Sequence, residues 1–119
     1  MRQFIVLSCL LLGLTACSSK MVSPLSQSSP IVNIEAAIAD KLAITSAADQ
    51  VTLKNKTNQS INLTYLLTWY DKNGVTQRAN WQQEERWQKL MVIANQQVLI
   101  KLTKPTAASH NYRIYLKAN

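Results

Sequence analysis

The stretch INLTYLLTWYDKNG, residues 61–74, determines the predicted fold. Hydrophobic and polar side chains alternate with a period of two through residues 61–70, and aromatic and β-branched residues are frequent, which is typical of a long strand. The face expected to line the core carries Ile61, Leu63, Tyr65, Leu67 and Trp69. The opposite face carries Asn62, Thr64, Leu66, Thr68 and Tyr70. We therefore predict that residues 61–70 form the central strand.

A turn follows this strand at residues 71–74, Asp-Lys-Asn-Gly. Asn-Gly pairs favour tight hairpins because both residues tolerate positive φ angles. The Asp71 carboxylate is expected to accept backbone N–H groups across the turn, which is a structural role and not a catalytic one. Residues 75–80 then form a more polar strand at a sheet edge, where Arg78 would discourage edge-to-edge aggregation.

Shorter strands are predicted on both sides of this hairpin. Residues 51–54 alternate in the same way, and the polar segment 55–60 is expected to turn them back onto residues 61–70 in a second hairpin. Further strands are predicted at residues 87–93, 98–103 and 112–117, with a charged loop or short helical turn at residues 81–86.

The segment 31–48 carries a mixed pattern. Ile34, Ile38 and Leu42 recur every four residues, which indicates a short helical turn near residues 35–41, but residues 31–32 and 42–45 also fit strands. We predict strand, helical turn and strand. About six or seven short antiparallel strands between residues 31 and 119 indicate a mainly β, two-sheet sandwich.

The amino-terminal segment has the composition of an export signal. Arg2 precedes an apolar run at residues 4–14, which is shorter than the roughly 20 residues of a membrane-spanning helix and fits the core of a signal peptide. The run ends in Leu-Thr-Ala-Cys at residues 14–17, which resembles the lipobox of bacterial lipoproteins. That resemblance implies that residues 1–16 are cleaved, that Cys17 receives a diacylglycerol, and that the new amino terminus receives a fatty acyl chain (palmitate).

A flexible tether is predicted at residues 17–30. Residues 18–30 contain six Ser and two Pro, and when extended they could reach about 40 Å. The folded domain then occupies residues 31–119. Ser18 after the cysteine resembles the sorting signal of lipoproteins of the outer membrane, where the anchor lies in the inner leaflet and the domain faces the periplasm. An inner-membrane location, or an ordinary signal peptide with Cys17 as an incidental thiol, is the alternative.

The composition argues against several kinds of active site. Outside residues 1–16, Gly74 is the only glycine, so a phosphate-binding glycine-rich loop is excluded. His110 is the only histidine, and with no spare thiol no four-ligand zinc site of the usual kind can form. Glu84 and Glu85 are adjacent and would point to opposite faces of a strand, so they do not form a catalytic pair. We expect no enzymatic activity, no cofactor and no metal.

The chain is basic, with 13 Lys and Arg against 6 Asp and Glu and a formal charge of +7, or +6 once Arg2 is removed. Periplasmic partners of such a surface are lipid head groups, lipopolysaccharide phosphates, cell-wall carboxylates and acidic proteins, whereas nucleic acid is not expected there. Scattered cations could equally serve only solubility. Exposed Tyr and Trp beside Arg are common interface anchors. The candidate partner patch is Tyr70, Arg78, Trp81 and Tyr115, each of which could instead pack across the second sheet or at a bulge.

Residues 53–74, LKNKTNQSINLTYLLTWYDKNG, are similar to the YcfL-like lipoproteins of Gram-negative bacteria. They combine a strand, an Asn-rich turn and a Trp-Tyr-Asp-x-x-Gly element. Trp87 and the terminal strand at residues 112–116 extend the likeness over most of residues 50–118. The resemblance implies an immunoglobulin-like antiparallel β-sandwich and no activity, since the family is a domain of unknown function.

Anchor, tether and strand pattern together predict the role of the protein. We expect a lipid-anchored, non-catalytic lipoprotein that faces the periplasm and binds another component of the cell envelope, either a protein or the cell wall. The alternative is a carrier or sensor that holds a small ligand between its two sheets.

Overall fold

The computed structural model describes residues 29–119, which form two sheets and a short helix. The elements are β1 (Ile31–Ile34), α1 (Ala36–Ala39), β2 (Leu42–Ser46), β3 (Gln50–Asn55), β4 (Ile61–Tyr70), β5 (Thr76–Gln77), β6 (Gln88–Val92), β7 (Gln97–Lys101) and β8 (Asn111–Ala118). None of the helices in this part of the chain has the length and apolarity to cross a bilayer. The predicted signal peptide 1–16, Cys17 and most of the tether lie outside the described residues.

The eight strands form a mainly β sandwich, as predicted. The larger sheet has the order β1-β8-β4-β5, with β6 also paired to β4, and the smaller sheet has the order β2-β3-β7. β4 is central: β8 covers one of its edges from Leu63 to Tyr70, while β6 and β5 divide the other edge. The strand, helix and strand predicted within residues 31–48 are confirmed as β1, α1 and β2.

Five of the strands are connected as in an immunoglobulin-like sandwich. β2, β3 and β7 occupy the positions of strands A, B and E, and β4 and β8 those of C and F. β1 lies beside β8 and runs parallel to it, from Ile31 opposite Arg113 to Ile34 opposite Leu116. The prediction of wholly antiparallel pairing is therefore wrong at this pair. Because β1 and β8 lie at opposite ends of the domain sequence, no tight turn imposes an antiparallel direction on them.

The predicted hairpin between residues 51–54 and 61–70 is also wrong, because β3 pairs with β2 and β7 in the smaller sheet. The reason is the fully buried Asn55 at the end of β3. Its Nδ2 donates to the carbonyl of Gln59 at 2.7 Å and to that of Val92 at 3.0 Å, and its Oδ1 accepts from the N–H of Thr57 at 2.9 Å. These bonds direct the loop across the sandwich instead of back along β3.

The hairpin after β4 is confirmed, with a shorter second strand. Gly74 has φ 81° and its N–H donates to the carbonyl of Asp71 at 3.0 Å, as in a three-residue loop with glycine in the left-handed region. The Asp71 carboxylate accepts from the N–H groups of Asn73 at 2.8 Å and Val75 at 2.9 Å, in the structural role predicted for it. Strand pairing then extends only through Thr76–Gln77, not through residues 75–80.

The core lies between the sheets on the predicted face of β4. Ile61, Leu63 and Trp69 are buried there, and Tyr65 and Leu67 pack against them. Other buried apolar side chains come from the smaller sheet (Val51 and Leu53), from β6 (Val92) and from β8 (Tyr112, Ile114 and Leu116). The rings of Trp69 and Tyr112 lie 5.2 Å apart with a tilt of 55°. This packing leaves the alternate residues of β4 and β8 on the outer face of the larger sheet.

Candidate functional site

The outer face of the larger sheet carries an exposed aromatic pair. The alternation of β8 places Tyr115 outside, opposite Leu66 on β4 and Asn33 on β1. Trp87, immediately before β6, meets it edge to face, with ring centroids 5.5 Å apart and planes at 80°. Each residue is 39% exposed. Such pairs are favourable beyond their buried area, so the two rings hold a defined apolar ridge in contact with solvent.

Cations surround this pair. The Nζ of Lys117 lies 4.1 Å from the centroid of the Trp87 ring. Lys117 is aligned with Thr64, and Thr64 with Lys89 on β6, so two ammonium groups share one row of the sheet. We define the aromatic–cationic patch as Trp87, Lys89, Met91, Arg113, Tyr115 and Lys117. It combines apolar rings with positive charge, as in surfaces that bind acidic partners.

The structure does not bring the four predicted patch residues together. Tyr115 lies in the aromatic–cationic patch. Tyr70 is only 5% exposed, because the Arg113 guanidinium lies 6.0 Å from its ring centroid and the loop before β8 is bonded to its carbonyl through the N–H of His110. Tyr70 is therefore not an exposed anchor, contrary to the prediction.

Arg78 and Trp81 do come together, but in the loop that follows β5. The guanidinium carbon of Arg78 lies 5.4 Å from the Trp81 ring centroid, and Trp81 is 64% exposed. The patch residues that were missed are Trp87, Lys89, Met91, Arg113 and Lys117. The sequence shows that these residues are aromatic, apolar or basic. Their contact, however, depends on the register between β4, β6 and β8, which no local pattern specifies.

A cleft of about 200 Å³ opens beside the Arg78 loop, at the edge of the larger sheet. β6 pairs with residues 61–65 of β4, and β5 pairs with residues 69–70, so residues 66–68 have no strand partner on this edge. Leu67, Trp69 and Arg78 contribute to its wall. We call this the edge cleft.

A second, open cleft of about 540 Å³ lies at one end of the sandwich, between the β4–β5 turn and the loop before β8. Lys72, Lys104 and the exposed His110 line it. The chain enters the domain at the same end, because the Nδ2 of Asn111 donates to the carbonyl of Ser29 at 2.8 Å. Residue 29, where the described part of the chain begins, therefore lies at this end.

The titratable groups of the domain have structural contacts. Burial, and secondarily the Asp49 carboxylate, raises the pKa of Tyr112 above its ordinary value, so its hydroxyl stays protonated and donates to the carbonyl of Ala47 at 2.6 Å. Glu85 lies 3.6 Å from Arg78 and 3.4 Å from the hydroxyl of Thr68. Residues 29–119 contain no group of three or more His, Cys, Asp or Glu side chains placed to hold a metal ion.

Comparison with known proteins gives a family but no activity. An uncharacterized protein of Haemophilus influenzae is 36% identical over 116 residues, covering 98% of each chain. Two solved structures share the fold. Campylobacter jejuni cj0090 has a TM-score of 0.56 and 16% identity, over 76% of this chain and 100% of that one. A DUF1425 family member from Shewanella sp. pv-4 has a TM-score of 0.51 and 23% identity, over 66% of this chain and 73% of that one.

The family assignment rests on sequence over nearly the whole domain. The profile described as "Protein of unknown function (DUF1425)" matches residues 26–118. This match includes every strand of both sheets, and the Haemophilus relative is similar from end to end. The chain therefore belongs to the DUF1425 family.

Proposed function

We propose that the mature protein is a YcfL-like lipoprotein, anchored through Cys17 in the inner leaflet of the outer membrane, that binds an acidic segment of another envelope protein without chemistry of its own. The lipobox at residues 14–17 and the Ser-rich tether support the anchor. Because each buried CH₂ group of an acyl chain contributes about 0.8 kcal/mol, a multiply acylated cysteine suffices for stable attachment.

The exposed pair of Trp87 and Tyr115, with Lys117 against the indole, carries the proposal for the partner. An edge-to-face pair has few internal degrees of freedom, so a partner that covers it loses little side-chain entropy in ordering it. The cations of the aromatic–cationic patch attract acidic side chains and guide their approach. Among Lys89, Arg113 and Lys117, no side chain has a salt-bridge partner in the described part of the chain.

The position of the patch favours a protein over the lipid surface as its partner. The chain enters the domain near Asn111. Lys117 lies six residues further along β8, roughly 20 Å away at about 3.3 Å per residue. Apart from Arg113, which lies opposite Ile31 near the entry point, the patch lies along the side of the sandwich. A protein beside the domain can reach it without displacing the domain from the membrane.

The filled interior favours docking over the alternative role, carriage of a small ligand between the sheets. Side chains from both sheets, including Val51, Leu53, Leu63 and Ile114, are fully buried and occupy that space. A ligand between the sheets would have to displace them, at the cost that accompanies any disruption of a packed core.

Site-specific photocrosslinking in intact cells tests the proposal. A photoreactive residue replaces Tyr115 in one variant, and in a matched control it replaces Leu99, which is 48% exposed on the smaller sheet. We expect a crosslink to an acidic segment of a defined envelope protein from position 115 only, and loss of that crosslink when Lys89 and Lys117 are both changed to Glu. Crosslinks to lipid or cell-wall fragments alone, to a neutral or basic segment, or equally from both positions would contradict it.

A further inference from the structure

The edge cleft exposes backbone groups of β4. The N–H of Asn119 donates to the carbonyl of Asn62, so even-numbered residues of β4 direct their backbone groups toward β8, and odd-numbered residues direct theirs toward β5 and β6. Leu67 is the odd-numbered residue that falls between β6 and β5. Its N–H and C=O therefore point into the edge cleft, where no strand pairs with them.

Two residues that line the cleft have side-chain donors without a partner within residues 29–119. Trp69 and Arg78 both line the cleft, and the indole Nε1 of Trp69 and the guanidinium Nε of Arg78 are buried without a hydrogen-bond partner among the described residues. Trp69 is 95% removed from solvent, and an unsatisfied buried donor of this kind is costly. Both N–H groups can only donate hydrogen bonds. A ligand that satisfies them must therefore supply an oxygen acceptor, most favourably an anionic one.

Acidic groups also line the cleft. Glu84 and Glu85 line the cleft. They disfavour a ligand with several negative charges and favour an amine beside the anionic oxygen. The volume of about 200 Å³ is somewhat larger than the roughly 150 Å³ cavity that accommodates benzene, a molecule of six heavy atoms. The cleft therefore suits a ligand about the size of a small amino acid or a short peptide terminus.

The loop over the cleft is held by weak contacts. Glu85 is 3.6 Å from the Arg78 guanidinium and 3.4 Å from the Thr68 hydroxyl, and both distances are long for hydrogen bonds. The side chains from Asn80 to Glu84 are exposed. The Trp81 ring stacks against the Arg78 guanidinium. A ligand can therefore enter by displacing Glu85, while Trp81 continues to orient the guanidinium.

We propose that the edge cleft binds the terminal α-carboxylate of an amino acid or short peptide. The carboxylate accepts from the Nε1 of Trp69 and the Nε of Arg78, and the N–H of the same residue donates to the carbonyl of Leu67. A free ammonium group lies toward Glu84 and Glu85. The edge cleft is separate from the aromatic–cationic patch, so this proposal does not depend on the proposed docking function.

The test is a titration of the folded domain, residues 29–119, in which NMR monitors the indole N–H resonances of its three tryptophans. The probes are alanine, alanyl-alanine, N-acetylalanine and alaninamide. We expect the carboxylate-bearing probes to shift the Trp69 signal more than those of Trp81 and Trp87, with a Kd of about 1 mM or tighter. Alaninamide, which lacks the carboxylate, should not shift it. The ratio of affinities for alanine and N-acetylalanine separates a free amino acid from a peptide terminus as the preferred source.

Variants give a second measurement. Arg78→Lys keeps the charge but removes the Nε donor, and we expect roughly tenfold weaker binding or more. Arg86→Lys, in the same loop but outside the cleft, and Tyr115→Ala, in the aromatic–cationic patch, should bind as the wild type does. Trp69→Phe should remove the responding signal and weaken binding if it folds. The inference is overturned if no carboxylate probe binds at about 10 mM, well above the expected Kd, if alaninamide binds as well as alanine, or if Arg78→Lys has unchanged affinity.

Discussion

Lys117 and Trp87 join the last strand of the domain to the segment before β6, with the ammonium nitrogen 4.1 Å from the centroid of the indole ring. The same indole contacts Tyr115, two residues earlier on β8. Two side chains of β8 thus contact Trp87, Lys117 over its ring and Tyr115 in a T-shaped arrangement. The orientation of the Trp87 ring is therefore set by residues of a single strand.

Replacing Lys117 should release Trp87 without unfolding the protein. In Lys117→Gln the cation–π contact is lost, and we expect a loss of about 0.5–1 kcal/mol in the free energy of unfolding, together with a more mobile Trp87 side chain. Urea denaturation and the relaxation of the Trp87 indole N–H measure the two effects. Lys54→Gln, exposed on the smaller sheet, is the control; an equal effect on the Trp87 signal there would disprove the contact.

Tyr112 should make stability sensitive to alkaline pH. Its pKa is raised in the folded state by burial and by Asp49, so the folded protein retains this proton where the unfolded chain loses it. The associated stability is present below the unfolded pKa, about 10, and is lost as pH rises through the folded pKa. Tyr112→Phe should cost about 1 kcal/mol at neutral pH and flatten the decline above about pH 10. Denaturation curves between neutral and alkaline pH provide the measurement, with Tyr115→Phe as the control; a slope unchanged by Tyr112→Phe would contradict the assignment.

Asn55 should be far more sensitive to substitution than neighbouring asparagines. Asn55→Ala removes the side-chain amide that donates to the carbonyls of Gln59 and Val92 and accepts from the N–H of Thr57, and we expect a loss of about 3 kcal/mol in the free energy of unfolding. Asn58→Ala, on the exposed part of the same loop, should change it by less than about 0.5 kcal/mol. Chemical denaturation compares the two variants, and equal losses would show that the Asn55 bonds do not fix the crossing loop.

Replacing Trp69 tests which face of β4 is buried in the core. Trp69→Ala removes a buried ring that contacts Tyr112, so a loss of about 3–5 kcal/mol is expected. Met91→Ala, on the outer face and 54% exposed, is the control and should lose much less. Thermal or urea unfolding measures both. A loss of only a few tenths of a kcal/mol for Trp69→Ala would mean that the two faces of β4 are reversed.

Cys17 should determine membrane attachment. Cys17→Ala is expected to abolish metabolic labelling with radioactive palmitate and to move the protein into the soluble periplasmic fraction, because the thiol is the proposed site of lipid addition. Ser18→Ala keeps the thiol and should still be labelled. Labelling that persists in Cys17→Ala would rule out the proposed anchor.

Local sequence patterns correctly predicted β4, the turn at Asp71 and the strand–helix–strand order at the start of the domain. The patterns gave wrong predictions where contacts with distant segments determine the strand pairing or the burial of a side chain. The polar segment after Lys54 has turn composition in either topology. Long-range bonds, including the one from the Asn55 side chain to the carbonyl of Val92 in β6, direct it to the other sheet. Tyr70 alternates with the core residues as an outer residue should, yet Arg113 from β8 covers it. The edge cleft was missed because it arises from a gap between β5 and β6, which is a property of their pairing and not of any motif.

The parallel pairing of β1 with β8 has a mechanical consequence for a tethered domain. Tension on the amino-terminal segment is applied at Ile31 along the axis of β1, so the four aligned residue pairs with β8 bear the load together in shear instead of opening one after another. A partner held on the aromatic–cationic patch would pull on β8 from its far end. Force between the membrane and that partner would then pass through the pairing of β1 with β8.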